Sequence, residues 1–197
     1  MLAGLDYGQR VDAGKRIEKK ILDALRAKGM KIEDPTSNQD IHDKIDGWWF
    51  AKNSDKKYPV QVKFRQSGDD ILFEIMKDFD RNVTGRDMKS KSVLYLVADR
   101  HGRTRLFQTE PIKKKAQDIL KMVQDELSKD PRQTRWSGNG WEAKMQFDAA
   151  HGNKKLMAYF SPNAFNALAT WDLNLYEEIV RECLKEEIRS VLKELLG

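Results

Sequence analysis

From about Asp12 to Lys28 the apolar residues Ile17, Ile21, Leu22 and Leu25 recur at helical spacing, and Gly29 supplies a stop, so the pattern predicts a first helix. Met30-Lys-Ile-Glu reads as a short strand leading away from it, and Asp34-Pro-Thr-Ser-Asn as a loop. Ile45 to Phe50 and Tyr58 to Arg65 read as two strands joined by a charged turn from Lys52 to Lys57. In the second strand the period of two is regular. Val60, Val62 and Phe64 share one face, while Gln61, Lys63 and Arg65 share the other. A polar face in so regular an order means either solvent or a site.

Asp69 to Lys77 alternates through Ile71, Phe73 and Ile75 as a strand would, although Leu72, Ile75, Met76 and Phe79 also fit a helical stripe. A strand is expected. Asp78 to Lys91 is polar and reads as a loop with one helical turn at most. Val93 to Ala98 is a buried strand, and Thr104 to Gln108 pairs with it across His101-Gly102. Pro111 suits a helix start, with Ile112, Ala116, Ile119, Leu120, Val123 and Leu127 along one side. Trp136 to Trp141 reads as a turn between two strands, and Leu156 to Phe160 as a third strand. A long final helix follows Asp172, a candidate N-cap, with the stripe Tyr176, Ile179, Val180, Cys183, Leu184, Ile188, Val191, Leu192 and Leu195.

This order gives an α/β or α+β class: a mixed central sheet flanked by helices, with a C-terminal β-hairpin and long helix. Residues 1–130 read as a core, and 131–197 as a β unit plus helix, packed on that core or forming an appendage. The chain has 197 residues, 40% hydrophobic, enough to bury a core. No apolar run approaches the roughly 18–20 residues of a membrane span, and the first ten residues do not resemble a secretory signal, so a cytoplasmic location is expected. The net charge of +5 is compatible with a polyanionic partner. Cys183 is the sole cysteine, which excludes intramolecular disulfides and cysteine-based zinc sites. His42, His101 and His151 match no zinc-hydrolase spacing.

Phosphodiester hydrolysis needs anionic oxygens that hold a divalent metal against the phosphate, and a group that orients the attacking water. Two adjoining strands can offer both if an acid sits on one, and an acidic or amide residue with a lysine two positions on sits on the next. The gap of two returns both side chains to one face. Asp46, and Gln61 with Lys63, satisfy that pattern across the short turn. Asp46 is favoured over Asp40 and Asp43 because it lies within an apolar strand, where an unpaired carboxylate costs most.

Ile45-Asp46-Gly47, a turn, and Pro59-Val60-Gln61-Val62-Lys63 resemble the core motif of the PD-(D/E)xK nuclease superfamily. The resemblance covers roughly residues 12 to 108, and the order Glu, Asp, QxK is similar to that of Holliday-junction resolvases and transposon-end nucleases. It implies a restriction-endonuclease-like fold and a magnesium- or manganese-dependent endonuclease acting on DNA. Asp46 would be a metal ligand, Gln61 would bind through its side-chain oxygen, and the Val62 carbonyl could join them. Lys63 would position the water and offset phosphate charge, and Glu18, on the first helix, would hold a second metal or its water. Arg65, Arg81, Arg86, Lys89 and Lys91 are the expected DNA contacts, with Lys113, Lys114 and Lys115 as the alternative path.

Two departures stand out: the family usually has Glu where this chain has Gln61, and no clear helix follows the lysine strand. Gln61→Glu would restore the missing charge and is expected, on sequence alone, to tighten metal binding. A catalytically silent DNA-binding relative is the rival reading, and a protein-interaction module using the last helix is a third. That helix could pack on its own domain or serve a homodimer. Gly8 to Arg16 lacks phosphate-loop spacing, and Trp136 and Trp141 could stack on bases but more often close a hairpin core.

Overall fold

The computed structural model describes residues 7–65, 68–149 and 151–180, with the main chain alone at 7–13 and 41. Helix α1 (Tyr7–Ala27) buries Ile17, Ile21, Leu22 and Leu25, the stripe its sequence carries. Gly29, at φ +87°, ends it: its N–H donates to the Arg26 carbonyl at 2.9 Å, and Met30 N–H reaches the Leu25 carbonyl at 3.1 Å. This double closure satisfies carbonyls that a helix end leaves open.

Strand β1 (Ile32–Glu33) pairs antiparallel with β2 (Gly47–Phe50), and β2 with β3 (Lys57–Arg65). After β3 the chain leaves this sheet to form β4 (Ile71–Asp78), β5 (Val83–Thr84) and the short helix α2 (Arg86–Lys89). It returns as β6 (Leu94–Asp99), parallel to β3, followed by the antiparallel β7 (Arg103–Gln108). Helix α3 (Thr109–Lys129) leads to β8 (Arg135–Gly138), β9 (Trp141–Asp148) and β10 (Asn153–Phe160), and β11 (Ala169–Asp172) pairs with β7. The result is a mixed α/β architecture with two sheets, ordered β1-β2-β3-β6-β7-β11 and β5-β4-β10-β9-β8.

Strand β10 pairs with both β9 and β4, so the segment after residue 130 supplies strands to both sheets. Each sheet face has its own cover. Val60, Val62, Leu96 and Ala98 pack on α1. Tyr95, Val97 and Phe107 face the other way, onto α3 and the second sheet. Gln61 and Lys63, by alternation, belong to this second side.

In β4, Ile71, Phe73 and Ile75 are fully buried, so the period of two prevails over the helical stripe. The polar stretch read as a loop contains β5 and α2. Asp172 is not a helix cap. Its register against Arg103 keeps it in β11, and its carboxylate accepts Asn174 N–H at 3.1 Å. Residues 176–180 are helical, while Cys183 and the apolar stripe beyond it lie outside the described residues. Trp136 is buried in the β8–β9 hairpin, as a core residue would be. Among the described residues no helix is long and apolar enough to cross a membrane.

Candidate active site

Asp46 sits one residue before β2, where that strand ends against β3. Its N–H donates to the Val60 carbonyl at 2.8 Å, and its Oδ2 accepts Val62 N–H at 2.7 Å. The carboxylate thus continues a ladder that β2 can no longer supply, since the last backbone pair is Gly47 with Val60. Within a strand a residue's N–H and C=O point to the same edge. The Val62 carbonyl therefore faces the Asp46 side, beyond the end of β2.

The loop before Asp46 is tied down tightly. Residues Gln39–Asp43 form one turn of π-helix, a rare form. Lys44 follows at φ 58°, the left-handed region, which costs a non-glycine residue about 1 kcal/mol. Ser90 Oγ donates to the Lys44 carbonyl at 3.1 Å, and Lys91 N–H to that of Asp43 at 2.9 Å. Segments distant in sequence together hold Asp46 in place.

Glu18 enters from α1, next to the buried Ile17, and shares a cleft of about 280 Å³ with Asp46, Asp40, Lys15 and Lys19. Burial pushes the Glu18 carboxyl up to about 7, the Asp46 charge adds to that, and Lys63 and Arg86 oppose it. Burial likewise raises Asp46 above the usual carboxylate range, against the pull of Val62 N–H, Lys63 and Arg86. Both carboxylates resist ionisation because burial strips their water, and the nearby cations offset that only in part.

Behind β3 lies a carboxylate that the motif does not contain. Asp87 Oδ1 accepts Gln61 Nε2 at 2.8 Å and stands 3.1 Å from Lys63 Nζ, while Oδ2 accepts Glu74 N–H at 2.7 Å. Glu74 in turn accepts the Arg86 N–H at 2.7 Å. Gly85 makes this contact possible: a Cβ there would meet the Glu74 carbonyl oxygen at 2.3 Å. Tyr95, paired in register with Gln61, is fully buried and donates its hydroxyl to the Leu72 carbonyl at 2.8 Å. Gln61 is itself 0% exposed, and its Oε1 has no hydrogen-bond partner.

Glu18 from α1, Asp46 before β2 and Lys63 on β3 therefore act on one another through their charges, and Gln61 lies two residues before Lys63 on the same face of β3. Arg86 joins their field, and its buried Nε has no hydrogen-bond partner. The remaining basic residues are dispersed. Arg65 Nη2 is held by both Asp70 oxygens at 3.0 Å, Lys91 pairs with Asp43 at 2.9 Å, Arg81 is highly exposed 3.7 Å from Asp78, and Lys89 is exposed on α2. Lys113 donates to the Ser90 carbonyl, and Lys115 lies 5.8 Å from the Trp141 ring. Asp40 Oδ2 lies 3.5 Å from Lys15, so both competitors of Asp46 have cationic partners.

Among the described residues no group of three or more His, Cys, Asp or Glu side chains is placed to hold a metal. The oxygen donors at hand are two carboxylates, the orphaned Gln61 Oε1 and the Val62 carbonyl, a hard set suited to magnesium or manganese rather than zinc. Sequence reading missed Asp87, Glu74, Lys15 and Lys19. Only the lysines carried a local signal, flanking Glu18 on one helix. No family model matches the chain, and no curated protein or solved structure matches it.

Proposed function

We propose that this chain is a magnesium- or manganese-dependent endodeoxyribonuclease of restriction-endonuclease-like type, hydrolysing phosphodiester bonds in DNA. The reading rests on one observation above all. A buried, donor-free Gln61 oxygen belongs to the same strand face as Lys63, whose charge acts on two carboxylates, Glu18 and Asp46, that burial keeps from ionising. Asp46, Gln61 Oε1, the Val62 carbonyl and Glu18 would hold the cation. When bound, it supplies Lewis-acid polarisation of the phosphate and a more acidic water.

The chain's own groups perform the rest. Asp87 fixes the Lys63 ammonium at 3.1 Å, so little orientational freedom is left to lose when it meets the phosphate. Lys63 orients the attacking water and offsets charge as the water oxygen bonds phosphorus and the P–O bond to the leaving alcohol breaks. Lys15 and Lys19, exposed on the cleft wall, meet the phosphates on either side.

The test is an initial-rate assay on plasmid, duplex, single-stranded and branched DNA with manganese, magnesium, calcium or EDTA. Cutting with manganese and none with calcium or EDTA is expected. A second reading, DNA binding without hydrolysis, is favoured because, among the described residues, no three carboxylates are placed together to hold a metal. Salt-sensitive binding with no cutting under any metal would select it, and absence of both activities would remove both readings.

A further inference from the structure

The fully buried Gln61 can present its amide in two ways, and Asp87 decides between them. A carboxylate accepts hydrogen bonds and donates none, so at 2.8 Å from Asp87 Oδ1 the nitrogen, not the oxygen, must face α2. The oxygen then points away from α2, buried and with no donor within reach. Asp87 has no freedom to yield, because Glu74 N–H holds its other oxygen at 2.7 Å and Gly85 packs α2 directly on β4. Resting on the nuclease reading, we propose that Asp87 is a positioning residue: it aims the Gln61 oxygen at the divalent cation and fixes Lys63 beside it. The negative charge that a strand glutamate would carry stands on α2 instead, and the oxygen ligand stays on β3.

Gln61→Glu, expected from the sequence to tighten metal binding, also carries a folding cost. That substitution sets two carboxylates about 2.8 Å apart in a buried place, where the Lys63 ammonium, 3.1 Å from the same Asp87 oxygen, offsets only one of the two charges. Asp87→Asn has a different consequence. Its new NH₂ group turns toward Gln61, whose amide must flip to accept, and N–H groups then face the cation. Exchanging the two, Gln61→Glu with Asp87→Asn, restores one donor and one acceptor with their roles swapped.

The experiment compares the parent, both single variants and the double variant in two readouts: thermal midpoint in EDTA, and manganese affinity by electron paramagnetic resonance. Gln61→Glu should lose roughly 5 °C or more of midpoint. Asp87→Asn should bind manganese about 10- to 100-fold more weakly. The double variant should recover midpoint relative to Gln61→Glu and manganese affinity relative to Asp87→Asn. If Gln61→Glu fails to fold, the comparison of Asp87→Asn with the double variant still decides. Simple addition of the two losses in the double variant overturns the positioning role while leaving the nuclease reading intact. A parent that binds no manganese overturns both, even if the midpoint recovers.

Discussion

Asp87 and the Glu18–Asp46 pair are carboxylates set beside the same strand, yet their surroundings are opposite. Asp87 is met by Gln61 Nε2, Lys63 Nζ and Glu74 N–H, all between 2.7 and 3.1 Å. Asp46 accepts Val62 N–H, and Glu18 faces the charge of Asp46 in a half-buried cleft. A buried carboxylate with several donors is settled, and removing any of those donors is costly. A pair that shares one cleft, with burial opposing the ionisation of both, is unsettled. The first arrangement rigidifies, and the second resists ionisation. Lys63 touches one and pulls on the other, which places it at the boundary between scaffold and chemistry.

The comparison breaks most visibly at Lys63. Lys63→Ala takes a partner from Asp87 and an ammonium whose charge acts on Glu18 and Asp46, so on the nuclease reading cleavage should fall by about 100- to 1,000-fold while DNA binding persists. Initial rates on plasmid with manganese measure it, alongside affinity in calcium. Near-normal turnover would sink the catalytic assignment.

A second effect separates the two carboxylate environments by pH. The Glu18 carboxyl lies near 7 in the folded protein against 4.5 for an ordinary glutamate, so the folded state binds its proton more tightly. Metal-free stability from this group is therefore fully present below about pH 4.5 and is lost as pH rises through about 7. The loss amounts to at most about 3 kcal/mol. Urea midpoints in EDTA from pH 5 to 8 should decline for the parent and stay flatter for Glu18→Gln. Equal slopes in the two proteins would show that Glu18 is not the strained group. Asp46→Asn keeps an acceptor for Val62 N–H and should fold, but manganese affinity should weaken at least about tenfold by titration calorimetry. Unchanged affinity would shift the ligand role to Asp40.

The contrast also explains what the sequence could reveal. Ile17, Ile21 and Leu25 announce α1, and Val60 and Val62 against Gln61 and Lys63 announce the two faces of β3, because local period fixes which side is buried. Asp46, read as an acid inside an apolar strand, lies instead one residue before β2, where its carboxylate accepts Val62 N–H. Asp87 was not legible in the sequence. Its contact with Gln61 depends on Gly85 packing against the β4 backbone, and no local period links those positions. The pairing of β10 with β4, Phe160 opposite Ile71, is equally silent, since each strand shows only its own alternation. Asp172 misled because an acid before an apolar helical stripe reads as a cap whether or not a strand claims it first.

The smallest expected effect concerns the path of the DNA, and it asks whether the unsettled cleft is also where phosphates approach. The sequence pointed to Arg81, Arg86, Lys89 and Lys91, but Arg86 takes part in the charge cluster and Lys91 pairs with Asp43 at 2.9 Å. Lys15 and Lys19 instead line the cleft that holds Glu18 and Asp46, both exposed, with Lys15 only 3.5 Å from Asp40 and loosely held. A cation that neutralises one phosphate releases about one condensed counterion, so each such lysine contributes about one unit to the log–log salt slope. Lys15→Ala with Lys19→Ala should lower that slope by about two, with the metal-free midpoint nearly unchanged because neither side chain is buried. Arg81→Ala with Lys89→Ala should leave it within about half a unit. Fluorescence anisotropy on a short duplex in calcium, from low to moderate salt, reads both pairs. The reverse ranking would move the DNA to the α2 side, and Asp87 would then face the substrate rather than stand behind it.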